Sequence, residues 1–311
     1  MSDQRKRGGV DRRKFLQASA AATVGMAGMV QSAAAQTQDE PEAIRPFSIA
    51  VPDAVLEDLR DRLVRTRYPD QLAGAAWTYG TELSYLKELC DYWRTRYDWR
   101  AQERALNRFD HFRTEIDGLG IHFIHQRSRQ KRAIPLIVTH GWPASVFELT
   151  KIIGPLSDPI AHGGRAADAF HVVCPSMPGY GFSDAPRQPG FGVKRVAEVF
   201  AKLMDRLGYT RYGAQGGDWG ALVSTWLARQ DAAHVCGIHL SMILAEALDQ
   251  YIDVPTGCAL FPVHPQLPRQ WVENSYNVTR WTKMKSGGHF AALEEPDLLV
   301  EDIRGFFRDL R

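Results

Sequence analysis

Two kinds of apolar spacing alternate along the chain. In Ala54 to Leu63, Val55, Leu56, Leu59 and Leu63 recur at helical intervals behind Asp53, which predicts an Asp-capped amphipathic helix. A second helix is predicted over about Glu82 to Tyr97, with Leu83, Leu86, Leu89, Cys90 and Trp93 on the side that packs against the main domain. Phe112 to Ile116 and Ile121 to His125 flank Asp117-Gly118, a hairpin signal. His122 and His125 fall on opposite faces of that strand, so they do not form a shared metal site. Unbroken apolar runs then appear at Ile134 to Thr139, Ala169 to Pro175 and Val235 to Leu240. Such runs fit strands buried on both faces. Helical patterns separate them, beginning near Ser145, over Val193 to Leu207 and over Ala221 to Arg229. Val254 to Phe261 and the stretch around Val278 to Met284 complete the strands, and Pro296 to Arg308 is a final helix. The alternation predicts an α/β domain: a mostly parallel sheet with helices on both faces.

The first 35 residues break this pattern. Arg12-Arg13 with Phe15-Leu16, an Ala- and Gly-rich run to Val30, and Ser32-Ala33-Ala34-Ala35-Gln36 have the layout of a twin-arginine export signal cleaved after Ala35. Localisation in the periplasm or outside the cell is the expectation. The full chain has a formal net charge of +2, but six basic and two acidic residues lie in that leader, leaving about −2 on the remainder. The basicity therefore belongs to the leader and gives no reason to expect a nucleic-acid partner. No stretch after it approaches the ~18 apolar residues of a membrane span. The four cysteines, Cys90, Cys174, Cys236 and Cys258, lie far apart in apolar contexts, which predicts reduced, buried thiols.

Candidate chemistry centres on Gly216-Gly217-Asp218-Trp219-Gly220, between a strand pattern and a helix pattern. Small residues around a central side chain permit a sharp strand-to-helix turn that lifts the side chain toward a substrate. With Ser at its centre this is the nucleophile elbow. With Asp218 the nucleophile is a carboxylate, suited to opening a saturated carbon centre through an ester. Taken alone, the pentapeptide fits a Gly-rich turn with a capping Asp equally well. His289, in Gly287-Gly288-His289-Phe290 between the last strand and the last helix, is the candidate base that activates water against the ester. The N–H groups of Trp142, in His140-Gly141-Trp142-Pro143, and of Trp219 are the candidate oxyanion donors. No metal or other cofactor is needed for these steps.

Taken together, these stretches resemble the microsomal type of epoxide hydrolase, within the α/β-hydrolase superfamily. The resemblance covers Pro46 to Pro52 with its helix, Trp77 to Gly80, His140 to Pro143, Pro178 to Ser183, Gly216 to Gly220, Val254 to Pro262 and Gly287 to Glu295. It implies an α/β-hydrolase fold, an N-terminal helical meander over residues 36–111 and a catalytic domain over 112–311. It also implies that Asp218 opens a small apolar epoxide and that His289 activates the water.

Two departures stand out. The family's helical lid between the strands at Val235 and Val254 is reduced to about residues 241–253, and with it go the two tyrosines that assist the epoxide oxygen. Tyr251 is the candidate substitute, with Tyr276 behind it. The family's acid after Phe-Pro is also absent, since the chain reads Phe261-Pro262-Val263-His264-Pro265. Glu246, Asp249 and Asp253 are the candidate replacements. Aromatic residues of the meander (Trp77, Tyr79, Trp93) are candidates to cover the open site. An open site predicts weak substrate selection, and apolar surface left bare predicts self-association as a homodimer. Two other readings stay open at this level: a haloalkane dehalogenase, with Trp219 holding the halide, and an inactive hydrolase fold lacking lid and acid. Halide release separates the first, and a trapped ester on Asp218 excludes the second.

Overall fold

Parallel strand pairing decides where the chemistry lies. The computed structural model describes residues 42–243 and 250–311. The expected export signal, together with Glu246 and Asp249, falls outside them. Nine strands form one sheet: β1 (Arg45–Pro46), β2 (His111–Ile116), β3 (Leu119–Gln126), β4 (Ile134–Thr139), β5 (Phe170–Pro175), β6 (Tyr212–Gly216), β7 (Val235–Leu240), β8 (Ile252–Leu260) and β9 (Tyr276–Lys283). Their order is β1-β2-β3-β5-β4-β6-β7-β8-β9. The first three are joined antiparallel, and β3 joins β5 antiparallel. From β5 to β9 every pair is parallel. The C-terminal ends of six strands therefore share one edge of the sheet. The chain order reverses between β4 and β6, where open α/β sheets leave a crevice.

Among the described residues nine α-helices accompany the strands. They are α1 (Asp53–Val64), α2 (Leu83–Thr95), α3 (Trp99–Leu106), α4 (Thr150–Ser157), α5 (Val193–Arg206), α6 (Asp218–Gln230), α7 (Arg269–Glu273), α8 (Ala291–Glu294) and α9 (Pro296–Arg308). Strand alternation splits the core in two. Ile137, Val173, Ile238 and Cys258 face Phe200, Leu203, Val223 and Leu227 of α5 and α6. Leu136, Val138, Val172 and Cys174 face Ile152, Leu156, Leu299, Ile303 and Phe307 of α4 and α9. The expected two-faced α/β architecture is what the chain adopts. Among the described residues no helix is long and apolar enough to cross a membrane. All four cysteines are free; Cys174 and Cys258 are buried, whereas Cys90 and Cys236 are only partly so.

The N-terminal helices depart from expectation. No residue of α2 is buried. Its apolar side, with Leu89, Tyr92 and Trp93, lines an open cavity of about 410 Å³ shared with Leu56, Leu59 and Leu63 of α1 and Trp99. The third helix, α3, is short; Asp98 caps it by accepting the Ala101 N–H at 3.0 Å. It anchors the segment before α1. Asn107 accepts the Ile49 N–H and donates to the Ile49 carbonyl, and Glu103 accepts the Val51 N–H at 2.7 Å.

A buried polar cluster fastens α9 beneath β7 to β9. Asp302 accepts from Arg280 Nε and Thr282 Oγ1, both at 2.7 Å, and faces His239 Nε2 at 3.0 Å. Burial alone would raise its carboxyl. The bonds from His239, Arg280 and Thr282 outweigh burial and hold the carboxyl at about 2. A folded value below the unfolded ~3.9 stabilises the fold above about pH 4, and the contribution fades as pH falls through 2. Asp302→Asn is therefore expected to cost about 2–3 kcal/mol at pH 7. The gap to the parent should narrow between pH 4 and pH 2, read as urea midpoints across that range.

Candidate active site

The elbow forms because four close approaches admit nothing larger than glycine. Strand β6 ends at Gly216, Gly217 is extended, and Asp218 opens α6 in the left-handed region at φ 48°. A non-glycine residue held there stores about 1–3 kcal/mol of strain. A methyl group on Gly216 would run into the Gly220 carbonyl, and one on Gly220 into the Thr139 carbonyl oxygen at the end of β4. On Gly217 it would lie 2.6 Å from Ser241 Oγ, and on Gly141 it would lie 2.5 Å from Asp218 Cβ and Oδ1. The spacing of small residues seen in the sequence thus packs the turn between β4 and β7 and brings residue 141 against the carboxylate.

The turn after β4 presents the first candidate oxyanion donor. The Trp142 N–H donates to Asp218 Oδ1 at 2.7 Å, and the Trp142–Pro143 peptide is cis. His140 fixes this turn from below. Its Nε2 accepts the Met177 N–H at 3.1 Å, so Nδ1 carries the proton toward the Gly141 carbonyl, also at 3.1 Å. Burial pushes this imidazole down to about 4, keeping it neutral. The Trp219 N–H lies in the first turn of α6, among the amides that no helix carbonyl accepts. The indoles of Trp142 and Trp219 stand in the open, 60% and 45% exposed, so the carboxylate lies in a wet, aromatic-rimmed mouth.

The loop after β9 brings in the candidate base. His289 Nε2 lies 3.7 Å from Asp218 Oδ2. Gly287 makes the approach possible at φ 99°, packed against Phe261 and Glu295. Glu294 tightens the loop by accepting the Phe290 N–H at 2.9 Å. The His264 ring stands edge-on to the His289 ring at 5.2 Å between centroids. Burial, then the charge of His289, pushes His264 below the ordinary histidine range, while Asp218 and Glu294 pull it back in part. Where the resemblance leads one to look for an acid, the chain thus places a second imidazole. Among the described residues, Asp218 is the only carboxylate within 4 Å of a His289 ring nitrogen.

The other candidates lie elsewhere. Tyr251 precedes β8, at the far end of a strand of nine residues whose other end is at the site. Roughly 30 Å of strand separates it from the site. A parallel β7–β8 connection has to return the chain to the opposite edge, so this placement follows from topology and Tyr251 does not reach the site. Tyr276 pairs with Ile252 at that same distant edge, its hydroxyl 3.3 Å from Thr225 Oγ1. Asp253 is there too, its carbonyl accepting from Asn277. Trp93 lines the α1–α3 cavity and Trp77 packs on Tyr85 at 5.1 Å, so neither is a neighbour that defines the site. The pair His122 and His125 is buried separately. His122 bonds Ser176 Oγ and His125 the Tyr209 hydroxyl. No group of three or more metal-ligating side chains occurs among the described residues.

Known proteins share both the sheet and the N-terminal segment. Residues 44–149 match the family model described as epoxide hydrolase N terminus, and residues 134–275 match that of the alpha/beta hydrolase fold. A Stigmatella aurantiaca protein assigned to the epoxide hydrolases is 36% identical over 376 positions, covering 86% of both chains.

The chain belongs to the epoxide hydrolase family of the α/β-hydrolase superfamily.

This chain supplies 86% of its 311 residues, about 267, to the 376 aligned positions, so about 376 − 267 = 109 of them have no counterpart in this family member. Epoxide hydrolase 1 of Oryctolagus cuniculus is 46% identical over 209 residues, 66% of this chain but 46% of its own length. The chain thus spans about half the length of that mammalian relative. At the level of fold, juvenile hormone epoxide hydrolase from the silkworm Bombyx mori superposes with a TM-score of 0.78 at 24% identity, over 87% of this chain and 94% of its own. The Aspergillus niger epoxide hydrolase gives 0.78 at 24% identity, over 86% and 97%.

Proposed function

We propose that this epoxide hydrolase works through an ester on Asp218. The observation that carries the reading is the meeting of three groups from separate strands at one carboxylate: the elbow itself, the Trp142 N–H on Oδ1 and His289 near Oδ2. Oδ2, the oxygen left free of the Trp142 bond, attacks an epoxide carbon. The ring C–O bond breaks and its electron pair stays on the epoxide oxygen, which takes a proton from solvent. His289 then removes a proton from water, and the hydroxide adds to the ester carbonyl. The charge that develops on Oδ1 falls on the Trp142 N–H already aimed at it, joined by that of Trp219; each such donor contributes roughly 3 kcal/mol. Collapse expels the diol oxygen, which takes the proton back from His289, and the carboxylic acid left at Asp218 ionises to solvent, returning the carboxylate. The aromatic rim suits an apolar substituent on the epoxide.

His289→Gln separates the two halves. With styrene oxide, the variant is expected to gain the mass of one epoxide and keep it for hours, whereas the parent carries the adduct only transiently. Intact-protein mass spectrometry with peptide mapping reads the site. Absence of any adduct in both proteins, or an adduct away from Asp218, would sink the ester mechanism.

A further inference from the structure

A second carboxyl shares the site and has no counter-charge. Glu148 lies in the short 3-10 turn Val146–Leu149 that follows Pro143. It faces an open cavity of about 340 Å³, whose walls are Pro143, Ala144, Ser145 and Phe147 on one side and Phe290 and Leu293 on the other. These walls are the continuations of the two catalytic segments: Pro143 follows Trp142, and Phe290 follows His289. Glu148 accepts the Gly141 N–H, and Gly141 is the residue packed directly on Asp218. Among the described residues no Lys, Arg or His lies within ion-pair distance of it. A half-buried carboxyl beside another carboxylate, without a cation, works against stability. A glutamine would make the same bond to Gly141 without that cost.

The coupling to Asp218 gives the arrangement a use. Burial raises the Glu148 carboxyl, the Gly141 N–H lowers it in part, and the charge of Asp218 raises it again, to about 7. The groups packed around it are the aromatic and aliphatic cavity walls, the Gly141 amide and Asp218, so Asp218 is the charge that changes in turnover. When Asp218 becomes an ester, that charge vanishes. Loss of that charge lets the Glu148 carboxyl ionise more readily, its proton passing to solvent through the open mouth. Glu148 is then the carboxyl that remains beside the site, across the cavity from Phe290, at the stage when His289 has to become an imidazolium. When the ester is cleaved, the carboxylic acid formed at Asp218 ionises and Glu148 regains a proton, so the cycle closes.

We propose that Glu148 is a positioning residue for the second half-reaction, supplying the anionic charge that supports protonated His289 while Asp218 is esterified. This assignment rests on the ester mechanism proposed above. It acts from the turn after β4, across the cavity whose far wall is Phe290, at more than 4 Å from the His289 ring nitrogens.

Single-turnover mass spectrometry with styrene oxide on Glu148→Gln tests it. The variant keeps an acceptor for the Gly141 N–H. Ester formation is expected within about threefold of the parent, ester decay at least tenfold slower, and the thermal midpoint at or above the parent's. Decay equal to the parent's overturns the assignment. Formation and decay falling together with a lower midpoint make Glu148 a structural residue, which also overturns it. If the parent forms no ester on Asp218, the nucleophile assignment fails and this one falls with it; an ester on both proteins with equal decay removes only the role of Glu148.

Discussion

Asp218→Asn is expected to form no covalent adduct with styrene oxide and to lower diol production by roughly 10⁴-fold or more, as loss of a nucleophile that acts within a catalytic unit does. The substitution is nearly isosteric. The amide oxygen still accepts the Trp142 N–H, so the oxyanion turn keeps its place. What is lost is the charged oxygen that faces His289. The loss should therefore appear as failure of the first step, with no adduct at any time, and not as an adduct that lingers. This separates it from His289→Gln. Diol is measured by gas chromatography and the protein by intact mass. A variant that kept a tenth of the parent's turnover would show that water attacks the epoxide directly and that no ester is required.

Gly220→Ala has the largest expected effect on stability. Its new methyl group would occupy the position of the Thr139 carbonyl oxygen, with the His140 carbonyl oxygen 3.1 Å away. Both obstacles are backbone at the end of a central strand, so neither yields as a flexible side chain would. Relief requires pushing α6 off β4, which disturbs the elbow and the oxyanion turn together. A cost of about 3 kcal/mol or more is expected, read as a drop in the urea midpoint at constant slope. Gly192→Ala is the matched control. Gly192 caps α5 at φ −87°, and a methyl group there meets nothing within 4 Å. The control should stay within about 0.5 kcal/mol of the parent. Similar midpoints for the two variants would mean that the elbow is more plastic than its packing indicates.

How far the sequence could be read depended on whether a feature was local. Gly216, Gly217 and Gly220 around Asp218 announced the elbow because close packing in a strand-to-helix turn demands small residues at those positions. His289 was legible for a similar reason, since two glycines after an apolar strand mark a loop that turns back over the sheet. Tyr251 was misplaced because proximity in sequence to β7 does not say at which end of β8 a residue emerges; the parallel pairing decides that. The exposure of α2 was equally invisible, because the spacing of Leu89 and Trp93 shows one apolar side but not whether anything covers it. Glu148 gave no local signal. Its significance comes from Gly141, Asp218 and the 290–293 segment, which converge only in the folded sheet.

The sheet order has one more consequence. Asp218 leaves β6, flanked by β4 and β7. The loop bearing His289 leaves β9, the outermost strand, paired on one side only. Edge elements open locally at lower free energy than central ones. On the proposed ester mechanism, partial unfolding that begins at β9 would release His289 while Asp218 kept its place. The molecule would then still react once with an epoxide and be unable to free itself. Heat would thus turn a catalyst into a stoichiometric scavenger before it destroyed the fold.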